Sequence, residues 1–379
     1  MEHGPGDRKL TRRAFLKGAA AGVLVAAAAP SYGSEVPGAE PSTGERKEAR
    51  GSNRLPRWRG FNLQEMFTVA SEGDWKDDDF RWMSDWGFDF VRLPMCYTLW
   101  IEGDDIHKIK EAGLAKVDRA VELGRKHKIH VNLNFHRGPG YSVNPERQEP
   151  FNLWKDRDAL DAFCLHWQTF AERYKGIPSS QLSFNLINEP PAVGAEMSRE
   201  DHERVVRTTT QTIRKADPDR LVIADGVGWA NVPCPELVDL GIGQSCRAYT
   251  PFELTHYNAS WVGGSDTWAE PVWPDLKSWG TTWNRERLEE HYRPWIELVK
   301  QGVGVHCGEG GAWNRTRHSV MLAWLRDVLE ILRPHGIGYA LWTFRGGFGV
   351  LDSDRPDVEY EEFHGHKLDR KLLSLLQEF

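Results

Sequence analysis

Cysteine is scarce and poorly placed for cross-linking. Cys96, Cys164, Cys234, Cys246 and Cys307 are odd in number, scattered along the chain and without CxxC spacing. That argues against a disulfide framework or a zinc site and for small buried thiols. Excess positive charge is also missing. With 48 Lys and Arg against 55 Asp and Glu, the net charge is -7, which gives no support for a nucleic-acid partner. There is no Gly-x-Ser-x-Gly elbow for serine hydrolase chemistry. The glycine-rich stretches Gly308 to Gly311 and Gly346 to Gly349 follow late strand-like segments without dinucleotide spacing. His364-Gly365-His366 lies in a charged stretch before the last helical segment and reads as a loop. No cofactor and no metal is therefore expected.

What is present is an ordinary globular composition, 40% hydrophobic and 27% charged over 379 residues, enough for a sizeable core. The N-terminus differs from the rest. Thr11-Arg12-Arg13-Ala14-Phe15-Leu16-Lys17 precedes an alanine-rich apolar run, Gly18 to Ala29. The arginines make a positive n-region and the run an h-region too short to span a bilayer. The string resembles a twin-arginine export signal. We assign residues 1–33 to the signal, 34–56 to a disordered linker rich in Pro, Gly, Ser and charge, and 57–379 to one folded domain. The expected product is periplasmic or extracellular, folded before export, monomeric and without a stable membrane span.

From Arg57 onward, strand and helix patterns alternate. Strands are read at Gly60–Leu63, Phe88–Leu93, Ile129–His136, Phe184–Glu189, Leu221–Ala224, Gln244–Tyr249, Gly302–Gly308 and Gly336–Phe344. Between them fall amphipathic segments such as Arg157–Tyr174, Glu200–Ala216, Arg285–Lys300 and Thr316–Leu332. Strands apolar on both faces signal a buried parallel sheet, and about eight units favour an α/β fold of the (β/α)8 TIM-barrel type.

In such a barrel the reactive groups sit at the C-terminal strand ends. Those positions here carry Arg92, His136, Asn188 with Glu189, Tyr249, Glu309 and Trp342. Two carboxylates on strands four and seven suit glycoside hydrolysis, which needs two carboxyls in different protonation states. A spacing of about 5–5.5 Å between them would mean retention of configuration. Flat tryptophan faces suit sugar rings.

The strings Arg92-Leu93-Pro94, His136-Arg137-Gly138-Pro139-Gly140-Tyr141, Asn188-Glu189-Pro190 and Ala340-Leu341-Trp342-Thr343-Phe344 resemble glycoside hydrolase family 5. So does Gly347-Phe348-Gly349-Val350-Leu351-Asp352-Ser353, which is similar to the cellulase-like members. The resemblance implies roles. Glu189 would be the acid/base and Glu309 the nucleophile, while Asn188 would bond the sugar 2-hydroxyl. Arg92 and Tyr249 would contact Glu309, His136 the sugar or the acid, and Trp342 would floor the subsite beside the scissile bond. One position departs: where the family usually has histidine, two residues before Tyr249, this chain has Arg247. His256, in the following loop, is the alternative source of that histidine.

The segment Thr250 to Asn284 carries Trp261, Trp268, Trp273, Trp279 and Trp283. A segment this long is usually functional. These rings are either sugar platforms or a satellite core, with one or two expected to be exposed. The expected substrate is a β-linked glycan, cellulose-like first. Mannan, xyloglucan or β-1,3-glucan, transglycosylation, and a non-catalytic carbohydrate-binding relative remain open.

Overall fold

The computed structural model describes residues 54–145 and 149–379. The arginine pair, the apolar run and nearly all of the spacer lie outside the described residues. Eight strands make the frame: β1 (Arg59–Asn62), β2 (Phe90–Cys96), β3 (His130–Gly138), β4 (Leu182–Asn185), β5 (Leu221–Asp225), β6 (Gly243–Ala248), β7 (Val305–Gly310) and β8 (Gly338–Leu341). Each pairs in parallel with the next, and β8 pairs with β1, so the sheet closes on itself. Closure leaves no free edge in the barrel. Every residue of β2, β3, β4, β6, β7 and β8 is buried, as expected for strands covered on both faces.

Around the barrel run α1 (Asp77–Asp85), α2 (Glu111–His127), α3 (Arg157–Arg173), α4 (Arg199–Ala216), α5 (Arg285–Lys300), α6 (His318–Leu332) and α7 (Arg370–Glu378). Their apolar stripes face inward. In α3, Phe163, Trp167 and Phe170 are buried, and Trp167 stacks on Phe135 of β3 with centroids 3.9 Å apart. Ser198 and Asp201 form a capping box at the start of α4, satisfying orphan amides there. Among the described residues no helix is long and apolar enough to cross a membrane.

Between β5 and β6 the chain makes a short helical turn, Val227–Ala230, and a 3-10 helix, Pro235–Leu240. One expectation needs correction. Strand four stops at Asn185 and not at Glu189. Past Asn185 the chain still gives isolated bonds to its neighbours, Leu186 N to Ile223 O at 3.0 Å and Asn188 N to Phe135 O at 3.0 Å. It then turns sharply, and Glu189 adopts φ +49. A left-handed non-glycine residue at a strand end stores strain that its surroundings must hold.

The barrel's N-terminal mouth is plugged. Trp58 stacks on His130 at 4.0 Å, and Phe90 packs on His306 at 4.5 Å. Burial drives both imidazoles down, His130 to about 4 and His306 to about 3, so the plug is uncharged at neutral pH. Leu55, just before the first strand, is buried in the same cluster. All five cysteines are free and buried, in keeping with the reading of inert thiols.

Candidate active site

The C-terminal mouth carries the opposite character. Arg92, from the middle of β2, runs across the barrel. Its Nη1 meets Glu309 Oε1 at 2.5 Å, its Nη2 donates to Asn188 Oδ1 at 2.9 Å, and its Nε donates to Asn185 Oδ1 at 2.9 Å. Asn62, at the end of β1, accepts from Arg92 Nη1 at 3.1 Å and ties down the carbonyls of Gly308 and Leu341. A second guanidinium, Arg247 on β6, points into the same space. Its Nε donates to Glu189 Oε1 at 2.9 Å, and its Nη2 lies 3.2 Å from Glu309 Oε1. Glu189 and Glu309 thus flank one guanidinium. Tyr249 OH donates to Glu309 Oε2 at 3.2 Å.

The arrangement follows from local chain geometry. In the β6–β7 ladder Cys307 opposes Cys246, yet Glu309 opposes Arg247. Gly308 is the extra residue of a bulge, which re-aims the side chain that follows it. A Cβ on Gly308 would come within 2.6 Å of Ser245 Oγ and 3.3 Å of Arg247 Nη1. Glycine there leaves room for the guanidinium. Across the mouth, Tyr141 OH donates to Glu189 O at 2.6 Å, and Trp229 N donates to Pro190 O at 2.9 Å. These two bonds hold the strained turn that carries Glu189.

Protonation states follow from the environment. Glu189 is raised to about 8, first by burial and then by the Glu309 charge, with Arg247 pulling the other way. It is therefore protonated at neutral pH, the state required of an acid. Burial works against the Arg247 charge, but Asp225, Glu309 and Glu189 outweigh it and hold the guanidinium protonated. His136 is held well below its ordinary value by burial and by Arg137, Arg92 and Arg247. A neutral His136 fits its contacts. Asn188 Oδ1 is taken by both arginines, so its Nδ2 is the donor to His136 Nε2 at 3.3 Å. The ring proton then sits on Nδ1, which is buried and has no partner. A buried donor of this kind asks for an acceptor from a ligand. Trp342 lies against His136, centroids 5.5 Å apart and nearly parallel, and Phe67 packs edge-on to both rings.

All seven residues expected from the sequence are brought to this mouth: Arg92, His136, Asn188, Glu189, Tyr249, Glu309 and Trp342. His256 does not reach the carboxyls. It stacks on Phe252 at 4.0 Å and meets the edge of Tyr249 at 5.2 Å. Three residues had escaped notice. Asp225, wholly buried at the end of β5, accepts from Asn185 Nδ2 at 2.9 Å, from Glu189 N at 3.0 Å and from Arg247 Nη2. Its signal was the same as for the glutamates, a carboxylate closing an apolar strand, but the strand was read one residue short. Phe67 comes from a loop and carried no positional signal; Tyr141 closes a string that resembles the family but had no role assigned, and it opens a two-residue strand paired with the end of β3.

Of the loop tryptophans, Trp261 and Trp279 are exposed, at 50% and 62%, within the expected one or two. Trp261 meets the edge of Trp313 at 4.6 Å, and both neighbour Phe348. His202, Cys234 and Glu236 come close enough to share a cation. However, Arg199 already holds Glu236 through two hydrogen bonds, and Cys234 Sγ lies 3.8 Å from His202 Nδ1. A guanidinium in that place opposes a metal.

Residues 48–347 match the family model described as cellulase, glycosyl hydrolase family 5. The chain belongs to that family. It is a retaining glycosidase of β-linked glycans. Endoglucanase C of Acetivibrio thermocellus is 25% identical over 335 residues, covering 81% of this chain and 93% of that one. Cellodextrinase A of Ruminococcus flavefaciens is 26% identical over 271 residues, with 69% and 76% covered. Among solved structures, a glycoside hydrolase crystal structure superposes with TM-score 0.82 at 40% identity, covering 85% of this chain and 99% of that one. Thermotoga maritima Cel5A, solved with mannotriose, gives TM-score 0.68 at 24% identity over 84% and 97% of the two chains, a likeness of fold.

Proposed function

We propose that this family 5 hydrolase is an exported endo-β-1,4-glucanase in which Glu309 is the nucleophile and Glu189 the general acid, then base. Glu309 attacks the anomeric carbon as the glycosidic C–O bond breaks, and Glu189 gives its proton to the departing oxygen. Glu189, now a carboxylate, takes a proton from water. The water oxygen attacks the same carbon and releases Glu309. The observation that carries the assignment is the pair of carboxyls on one guanidinium in unlike surroundings, Glu189 raised to about 8 by burial and Glu309 hydrogen-bonded by Arg92 and Tyr249. Asn188 and His136 offer amide and ring N–H groups to sugar hydroxyls, and Trp342 offers a flat face.

The cellulose-like preference rests on the endoglucanase and cellodextrinase relatives. A panel of soluble and insoluble β-glycans with product analysis tests it. Mixed oligosaccharides from carboxymethylcellulose and β-glucan are the expected products; cleavage of mannan or β-1,3-glucan alone would replace this reading. Glu309→Gln should abolish turnover and leave no covalent intermediate. Glu189→Gln should lose about 10²–10⁴-fold on natural linkages and much less on substrates with activated leaving groups. Residues 57–379 form the catalytic domain in this proposal, working as a monomer after export directed by a twin-arginine signal at residues 1–33.

A further inference from the structure

Two guanidiniums and three carboxyl groups share the mouth of the barrel. Arg92 gives its hydrogen bonds to Glu309, Asn185, Asn188 and Asn62 and lies 3.9 Å from Asp225. Arg247 faces Glu189 and Glu309, and its closest ion pair is to neither of them but to Asp225. Asp225 is 0% and Arg247 1% exposed. A cation buried that deeply is stable only beside a fixed anion. The two glutamates are poor choices for that duty, because one must carry a proton and the other must bond to carbon during the reaction. Asp225 does neither. Its second oxygen accepts from Asn185, and the first also accepts the backbone N–H of Glu189. It therefore grips both the guanidinium and the backbone of the proposed acid.

We propose that Asp225 is a positioning residue that acts through Arg247. The two form one unit: Asp225 neutralises and aims the guanidinium, and the guanidinium in turn seats Glu189 beside Glu309. This rests on the assignment of Glu189 as acid and Glu309 as nucleophile. The groups facing Glu189 are Arg247 on β6, Glu309 on β7 and Asp225 on β5. Tyr249 lies beyond β6, Arg92 on β2, and His136 and Tyr141 come from the β3 side. Removing the aspartate charge leaves Arg247 free to favour the ionised acid. Removing the guanidinium leaves Asp225 with only the more distant Arg92, 3.9 Å away, so its less balanced negative charge disfavours the ionised acid. Each single loss harms the site, in opposite electrostatic directions, and losing both together restores neutrality.

The test compares the wild type with Asp225→Asn, Arg247→Gln and the double variant, using a soluble β-1,4-glucan. Each single variant should lose kcat/KM, with the alkaline limb moving down for Asp225→Asn and up for Arg247→Gln. The double variant should recover about tenfold or more over the worse single, within the coupling range of contacting residues. A double variant no better than the worse single, or limbs unmoved in both singles, overturns the proposal. Infrared titration of the Glu189 carboxyl band, assigned with Glu189→Gln, reads the same shifts without substrate. Opposite shifts that cancel in the double variant would uphold the unit even if no glucan were cleaved, and failure of the hydrolase reading would then stand apart. Should Asp225→Asn not fold, folding of the double variant is itself the rescue; an unfolded double variant overturns it.

Discussion

Arg92 and Glu309 meet at 2.5 Å with 1% and 3% of their side chains exposed. Water is excluded from the pair, so their attraction is little screened. Breaking such a pair from one side usually costs about 3–5 kcal/mol, because the remaining charge stays buried. Arg92→Met should fall near the lower figure, since Arg247 still faces Glu309 at 3.2 Å. Denaturant unfolding measures the loss. A change below that of an ordinary surface substitution would show that Arg247 alone balances the carboxylate.

The pH profile carries a second expectation. The proposed acid must hold its proton, so kcat/KM should fall as pH rises through about 8, the value to which burial and Glu309 raise Glu189. Arg247 pulls that value down, so Arg247→His should move the alkaline limb upward. Stability should follow the same proton. The folded state keeps it up to about 8, whereas the unfolded chain releases it near 4.5. Folding stability therefore declines as pH climbs between those values. Glu189→Gln should remove that decline in a series of Tm measurements, and an unchanged slope would place the proton elsewhere.

The exposed tryptophans should not behave alike. Trp261 belongs to a ring row with Trp313 and Phe348, and Phe348 neighbours Tyr249 at 6.3 Å. Tyr249 touches Glu309. Trp279 sits at the tip of a two-stranded hairpin, Leu276–Ser278 with Thr281–Trp283. Trp261→Ala should raise KM for long glucans several-fold, as expected for loss of an aromatic stacking contact of about 0.5–1.5 kcal/mol. Trp279→Ala should leave it unchanged. Equal effects from the two would detach the ring row from substrate binding.

Export supplies a fourth expectation. Replacing Arg12 and Arg13 with lysine should strand the protein in the cytoplasm, while the unaltered chain loses its first 30 or so residues on export. Fractionation of the host with N-terminal sequencing decides it. Recovery of the full-length wild-type chain from the cytoplasm alone would rule out the signal.

Much of the site was legible because barrel chemistry lives at strand ends, and strand ends show in sequence as an apolar run closing in a polar residue. Asn188, Glu189 and Glu309 announce themselves that way, whereas Arg92 sits inside β2, which runs on through Pro94 to Cys96. Asp225 follows the same rule and was lost only through a strand boundary. The aim of Arg247 was a different matter. Its guanidinium needs the room that Gly308 leaves in the neighbouring strand, and no pattern within Gly243–Ala248 records what happens across the ladder.

Glu189 holds its carboxylate from a backbone turned to φ +49. Folding and catalysis therefore ask opposite things of one position. Glycine or asparagine would sit in that turn with less strain, and neither could donate the proton. A library randomised at position 189 and sorted for thermal endurance should enrich those two residues; sorted for sugar release, it should return glutamate. The sturdier protein would be the inert one.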